Sequence, residues 1–178
     1  MDILNKAKTG KKERPIKVVQ FGEGQYTVSL RGNVNGEAKI INRIVTSVAD
    51  AVDTYNEYDK YMGLAEIDTL RFVVSNTTEA GIVYDDTDKF ELEPPKTFPG
   101  KLTKFLYHRF KTFKGDMSKG LVMLPVELID DNGIMLKKCV MQLIELWGLG
   151  DEFKKWVDEA CVFTLSLIHI SEPTRLRR

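Results

Sequence analysis

A mostly apolar run, Ile16-Lys17-Val18-Val19-Gln20-Phe21, leads directly into Gly22-Glu23-Gly24. A buried-type strand that breaks at a Gly-x-Gly turn opens a dinucleotide-binding fingerprint. The first glycine permits a tight turn, and the second lets backbone N–H groups approach a pyrophosphate. A helix must then begin, because its N-terminal N–H groups and dipole face the anion. Here no helix pattern follows. In Gln25-Tyr26-Thr27-Val28-Ser29-Leu30-Arg31-Gly32, the apolar Tyr26, Val28 and Leu30 alternate with polar residues, which is the period of a strand. Thr27 holds the third glycine position, and no acidic residue closes a second parallel strand about 20 residues on. Read locally, Gly22-Glu23-Gly24 is a turn between two strands.

Asn33-Val34-Asn35-Gly36 separates residues 25–31 from 37–43, and Asn-Gly is a strong short hairpin signal. A β-hairpin is expected, with Ile44 to Val48 extending its second strand. Residues 55–66 carry Tyr58, Tyr61, Met62 and Leu64 and form a helix candidate. Leu70 to Ser75 is a second buried-type strand, followed by Asn76-Thr77-Thr78-Glu79-Ala80-Gly81. Polar groups at the carboxyl end of a strand in an open α/β sheet face the ligand crevice. The same residues also suit a cap for the segment that follows. Prolines 94, 95 and 99 mark residues 85–98 as a loop. Leu102, Phe105, Leu106, Phe110 and Phe113 then define one face of a helix, on which His108 reads as structural or exposed.

Gly120 to Val126 is a third buried-type strand, and Glu127, Asp130 and Asp131 follow it. Their spacing fits neither an EF-hand loop nor a zinc site, so no metal is expected. They read as an acidic loop that caps the next helix. In that helix Leu136, Val140, Leu143, Ile144 and Trp147 share a face, and Gly148 and Gly150 end it. Asp151 is read as the cap of a last helix with Phe153, Trp156 and Val157 on one side. Strands alternating with helices, plus a hairpin insertion, give an α/β fold with a largely parallel sheet.

Composition excludes other classes without choosing a chemistry. Lys and Arg number 26 against 26 Asp and Glu, a balance unlike that of a dedicated nucleic-acid or membrane-surface protein. No run of apolar residues is long enough for a membrane span. The first residues lack the apolar stretch of a secretory leader. The basic residues among positions 1–14 read as a solvated lead-in. Cys139 and Cys161 fall in expected helices and form no CxxC pair, so a reducing, cytoplasmic setting is expected. Residues 165–175, Leu-Ser-Leu-Ile-His-Ile-Ser-Glu-Pro-Thr-Arg, match residue for residue the translation of a common transposase-type sequencing-library adapter. Residues 165–178 are therefore set apart from the fold, and His169, Arg175, Arg177 and Arg178 are not candidates.

Several blocks in order carry a resemblance. They are Arg14 to Gly24, Tyr26 to Gly32, Arg71 to Gly81, Pro99-Gly100-Lys101-Leu102-Thr103, and Pro125 to Gly133. Together they resemble the mannitol dehydrogenase family of long-chain polyol and sugar-acid dehydrogenases, and within it the altronate oxidoreductases (tagaturonate reductases). The resemblance implies an NAD-dependent oxidoreductase interconverting tagaturonate and altronate in hexuronate catabolism. Its substrate would be a small sugar acid, with no nucleic acid or membrane as partner. It also implies that Gly22 and Gly24 touch the pyrophosphate, that Asn76 and Thr77 line the nicotinamide crevice, and that Asn132 lies near the substrate.

In the family the glycine turn continues into a helix and a second strand before the hairpin. Here on the order of 50 residues of the Rossmann half are missing at Gly24–Gln25. The residue that would choose NAD over NADP belongs to that stretch. The family's catalytic lysine lies in a C-terminal helical substrate domain without counterpart here, so no catalytic residue is assigned. Residues 1–164 are thus expected to be a truncated, incomplete Rossmann-like cofactor-binding domain. The alternatives are a non-catalytic, incompletely folded fragment or a piece of a related mannitol- or mannonate-type dehydrogenase.

Overall fold

The computed structural model describes residues 16–19, 26–34, 37–45, 48–78 and 80–165. The chain divides into two units, residues 1–61 and 62–178.

In the first unit, β1 (Ile16–Val19) pairs in parallel with β4 (Val48–Val52). Parallel partners need a long crossover, and the hairpin supplies part of it. That hairpin is β2 (Tyr26–Val34) against antiparallel β3 (Glu37–Val45), in register from Tyr26↔Val45 to Val34↔Glu37. The strands run further toward Asn35-Gly36 than the polar Asn33 suggests, because cross-strand pairing stabilises them up to the turn. One expectation is corrected. Residues 44–48 are not one extension: Ile44 and Val45 end β3, and Val48 opens a strand paired with β1 instead. The helix expected over 55–66 shortens to α1 (Tyr58–Gly63), closed by a single 3-10 turn over Leu64–Glu66.

The second unit is a three-stranded all-parallel sheet, ordered β5 (Phe72–Ser75), β6 (Val122–Pro125), β7 (Val162–Phe163). The helix α2 (Phe98–Thr112) connects β5 to β6, and α3 (Asn132–Leu146) and α4 (Asp151–Ala160) connect β6 to β7. Repeated strand–helix–strand connection makes this half Rossmann-like. Thr97 caps α2 by accepting from Gly100 N–H at 3.0 Å. The end of α3 is closed by left-handed Gly148, whose N–H reaches Glu145 O while Leu149 N–H reaches Ile144 O, the paired bonds of a Schellman motif.

The core lies between the sheet and its helices. Leu102, Phe105, Leu106, Leu121, Met123, Leu136, Val140, Leu143, Phe153, Trp156 and Val157 are all buried. Aromatic edges join α2 to α4: Tyr107–Phe153 at 5.1 Å, Phe110–Phe153 at 5.3 Å and Phe110–Trp156 at 5.8 Å between ring centroids. Gly120 is required where the chain enters β6, because a Cβ there would sit 1.9 Å from the Ala160 carbonyl oxygen. The alternate side chains Phe72, Val74 and Val162 are exposed on the other sheet face.

Two capping expectations are corrected. Asp151 lies inside α4 rather than capping it; Gly150 holds the cap position, and Asp151 and Glu152 supply negative charge to the first turn. Cys161 lies just beyond α4 in extended backbone, not in the helix. Both cysteines are buried free thiols. Among the described residues no helix is long and apolar enough to cross a membrane.

Candidate functional site

At the carboxyl ends of β5 and β6, three polar side chains and a buried carboxylate converge. Val126 N–H donates to Ser75 O at 2.9 Å, the last ladder bond at this end of β5. Beyond it the chain has lost sheet support, and side chains take over. Glu127 is fully buried. Its Oε2 accepts from Ser75 Oγ at 3.1 Å. Its Oε1 accepts from Thr77 N–H at 3.1 Å and from Thr77 Oγ1 at 3.0 Å. A buried carboxylate is tolerated only where donors replace water, and here three do so. Asn76, between the two tethered residues, is exposed, while Thr77 is half-buried.

The loop bearing Glu127 is held in turn by Asn132. Its Nδ2 donates to Pro125 O at 3.0 Å and to Glu127 O at 3.1 Å, and its Oδ1 accepts from Gly133 N–H at 2.8 Å. Asn132 is fully buried at the first turn of α3. Asp131 precedes it in left-handed backbone at φ 52° with no side-chain capping bond. The acidic loop is therefore not a cap formed by its carboxylates. Glu127 turns inward to the β5 loop, Asp130 and Asp131 are exposed, and Asn132 orders the turn. Among the described residues no group of His, Cys, Asp and Glu is placed to hold a metal ion.

Gly81 completes the site. A Cβ there would lie 2.0 Å from Thr77 Oγ1 and 2.9 Å from Thr78 O, so only glycine lets the chain turn back this closely. Of the sequence candidates, Thr77 and Asn132 are thus linked through Glu127, and Asn76 lies between the tethered Ser75 and Thr77. Gly22 and Gly24 lie outside the described residues. His108 is partly exposed and pairs with Glu66 at 2.8 Å, as its structural reading expected. The sequence pattern reads Glu127 as part of an acidic capping loop, and the structure instead puts it at the centre of the site. Its sequence signal is an acidic residue two positions after a buried strand, at the strand's carboxyl end.

Residues 16–171 match the mannitol dehydrogenase Rossmann domain. The chain belongs to the mannitol dehydrogenase family. Among curated relatives, the altronate oxidoreductase of Bacillus subtilis is 46% identical over 153 residues, 86% of this chain and 32% of that one. The altronate oxidoreductase of Bacteroides thetaiotaomicron is 38% identical over 211 residues, 94% of this chain and 44% of the relative. The chain thus spans less than half the length of these family members. Two solved structures share the fold. Pseudomonas fluorescens mannitol 2-dehydrogenase, solved as a ternary complex with NAD and D-mannitol, superposes with a TM-score of 0.61 at 16% identity, over 78% of this chain and 29% of that one. A substrate-free D-sorbitol dehydrogenase gives 0.59 at 18% identity, over 78% and 30%.

Proposed function

We propose that this mannitol dehydrogenase family chain is the cofactor-binding part of an NAD-dependent oxidoreductase that interconverts tagaturonate and altronate. The observation that carries the reading is the altronate oxidoreductase likeness at 46% and 38% identity, combined with a tethered polar loop where a parallel sheet binds its ligands. That loop suits a nicotinamide: exposed Asn76 offers an amide donor and acceptor, and Thr77 is drawn back against Glu127. When bound, NAD supplies the hydride chemistry. Asn76 and Thr77 would orient the ring. Gly22 and Gly24 would take the pyrophosphate, and Asn132 would act near the substrate by holding the β6 loop. A cytoplasmic setting belongs to the same reading and is supported by the two free thiols.

Residues 1–164 are read as the native domain, interrupted near Gly24–Gln25, and 165–178 as adapter-derived. Two observations support the interruption. The matched stretch of the Bacteroides relative, 211 residues, exceeds this entire 178-residue chain, so that relative carries residues with no counterpart here. Parallel sheets normally bury both faces, yet Phe72 and Val74 are 59% and 65% exposed. In this reading the chain alone binds cofactor weakly and does not turn over altronate.

The test is a graft. Residues 62–164, placed in the matching segment of the Bacillus subtilis altronate oxidoreductase, should give a chimera that reduces NAD with altronate. A chimera that preferred mannitol or mannonate would overturn the substrate assignment. Sequencing reads across the Gly24–Gln25 codons test the interruption separately: continuous coverage would make it a real feature of the gene.

A further inference from the structure

We infer that Glu127 is a positioning residue for the cofactor loop: by taking three hydrogen bonds from Ser75 and Thr77, it presents Asn76 in one fixed orientation at the carboxyl end of β5. The inference rests on the nicotinamide reading of that loop. Besides these bonds, the described residues of the loop carry a turn bond from Gly81 N–H to Thr78 O at 2.7 Å, which lies beyond Asn76. The β5–β6 ladder closes with Val126 N–H on Ser75 O, and Asn76, Thr77 and Thr78 lie beyond the end of β5. Left to itself such a segment samples many conformations, and ordering it at the moment of binding costs affinity. Glu127 removes that cost in advance. Both its oxygens are used, one by Ser75 and one twice by Thr77. The tethered residues flank Asn76 on either side, so its backbone is fixed while its side chain stays exposed.

Three further features support the assignment. Glu127 follows the neighbouring strand β6, so its carboxylate ties the β5 loop to the β6 loop. Its own backbone carbonyl is held by the Asn132 amide, which makes the carboxylate a fixed point rather than a mobile arm. Among the described residues no Lys, Arg or His forms an ion pair with its carboxylate, which accepts from Ser75 at the end of β5 and from Thr77 in the loop.

The experiment uses the full 178-residue chain and NAD itself. Dissociation constants are measured by titration, and amide exchange at Thr77 is followed by NMR, for the unchanged chain, Glu127→Ala, Glu127→Gln and Ser75→Ala. Glu127→Ala should weaken NAD binding by about 10-fold and speed Thr77 exchange by a similar factor, the scale of losing one hydrogen bond to a charged group. Glu127→Gln keeps an acceptor for Thr77 and should recover most of both. Ser75→Ala, which touches Oε2 alone, should cost about 3-fold in affinity and serves if Glu127→Ala loses its helical signal. Unaltered NAD affinity and Thr77 exchange in Glu127→Ala, or in Ser75→Ala where that variant replaces it, would overturn the inference. An unchanged chain that binds no NAD would overturn the cofactor reading instead, while Thr77 exchange would still decide whether Glu127 holds the loop.

Discussion

Glu127 Oε1 accepts both hydrogen bonds that Thr77 can donate, at 3.1 Å from its backbone N–H and at 3.0 Å from its hydroxyl. Fifty positions apart in the chain, the two residues fix the geometry at the end of a parallel strand pair. Thr77 is confined from the other side by Gly81, where even a methyl group would strike its hydroxyl.

That confinement gives the first prediction. Gly81→Ala should displace the Thr77 side chain from Glu127 and destabilise the chain by about 1–3 kcal/mol, the usual range for inserting a methyl into a filled space. Thr77→Gly in the same background removes both obstructing side-chain atoms, Oγ1 at 2.0 Å and Cβ at 2.3 Å from the added methyl. The double variant should therefore be less destabilised than the two single losses summed, as read from urea midpoints.

Arg109 is fully buried and donates to four backbone carbonyls: Lys119 O at 2.7 Å, Ala65 O at 2.8 Å, Ile67 O at 2.9 Å and Leu70 O at 3.1 Å. Its guanidinium also lies 4.7 Å from the centre of the Phe113 ring. It thereby ties the segment before β5 to α2. Burial lowers its proton affinity, and the nearby Asp68 opposes this. Lysine keeps the charge but lacks the planar fork, so Arg109→Lys should leave carbonyls unpaired and cost about 2–4 kcal/mol. Limited proteolysis should then cut within residues 64–70 faster than in the unchanged chain.

Burial pushes the Cys161 thiol up to about 11, from an ordinary value of 9.0. Burial also raises Cys139. Below about pH 9 the Cys161 thiol is protonated in both folded and unfolded chains and has no effect on stability. Between the two values the unfolded chain ionises while the folded chain resists, so stability falls as pH rises. The Cys161 share should approach roughly 2–3 kcal/mol by pH 11. Cys161→Val should flatten the pH dependence between 9 and 11 relative to the unchanged chain, measured by urea unfolding.

Lys114 sits in left-handed backbone at φ 51°, where its N–H bonds Lys111 O and the following Gly115 N–H bonds Phe110 O. This is a Schellman closure of α2 built on a residue with a Cβ. Lys114→Gly should relieve about 1 kcal/mol of backbone strain. The melting temperature should rise, with helical ellipticity unchanged.

The blocks Arg71 to Gly81 and Pro125 to Gly133 already identified the family resemblance, and strand–helix alternation determined an α/β fold. Asn35-Gly36 placed the hairpin, because its residues suit backbone that others avoid. Gly148 placed the end of α3 for the same reason. These features act over a few residues, so a local reading finds them. What the tertiary structure alone decided is pairing at distance. Val48 joins β1 rather than extending β3, because a parallel partner becomes available. Arg109 on an amphipathic helix looks like a solvated charge until the carbonyls of residues 65–70 are brought over it. Glu127 looks like one of three acidic loop residues, and only folding sets it apart, by placing Ser75 and Thr77 against it and burying its carboxylate. A carboxylate's role depends on which donors replace its hydration, and those donors come from another strand.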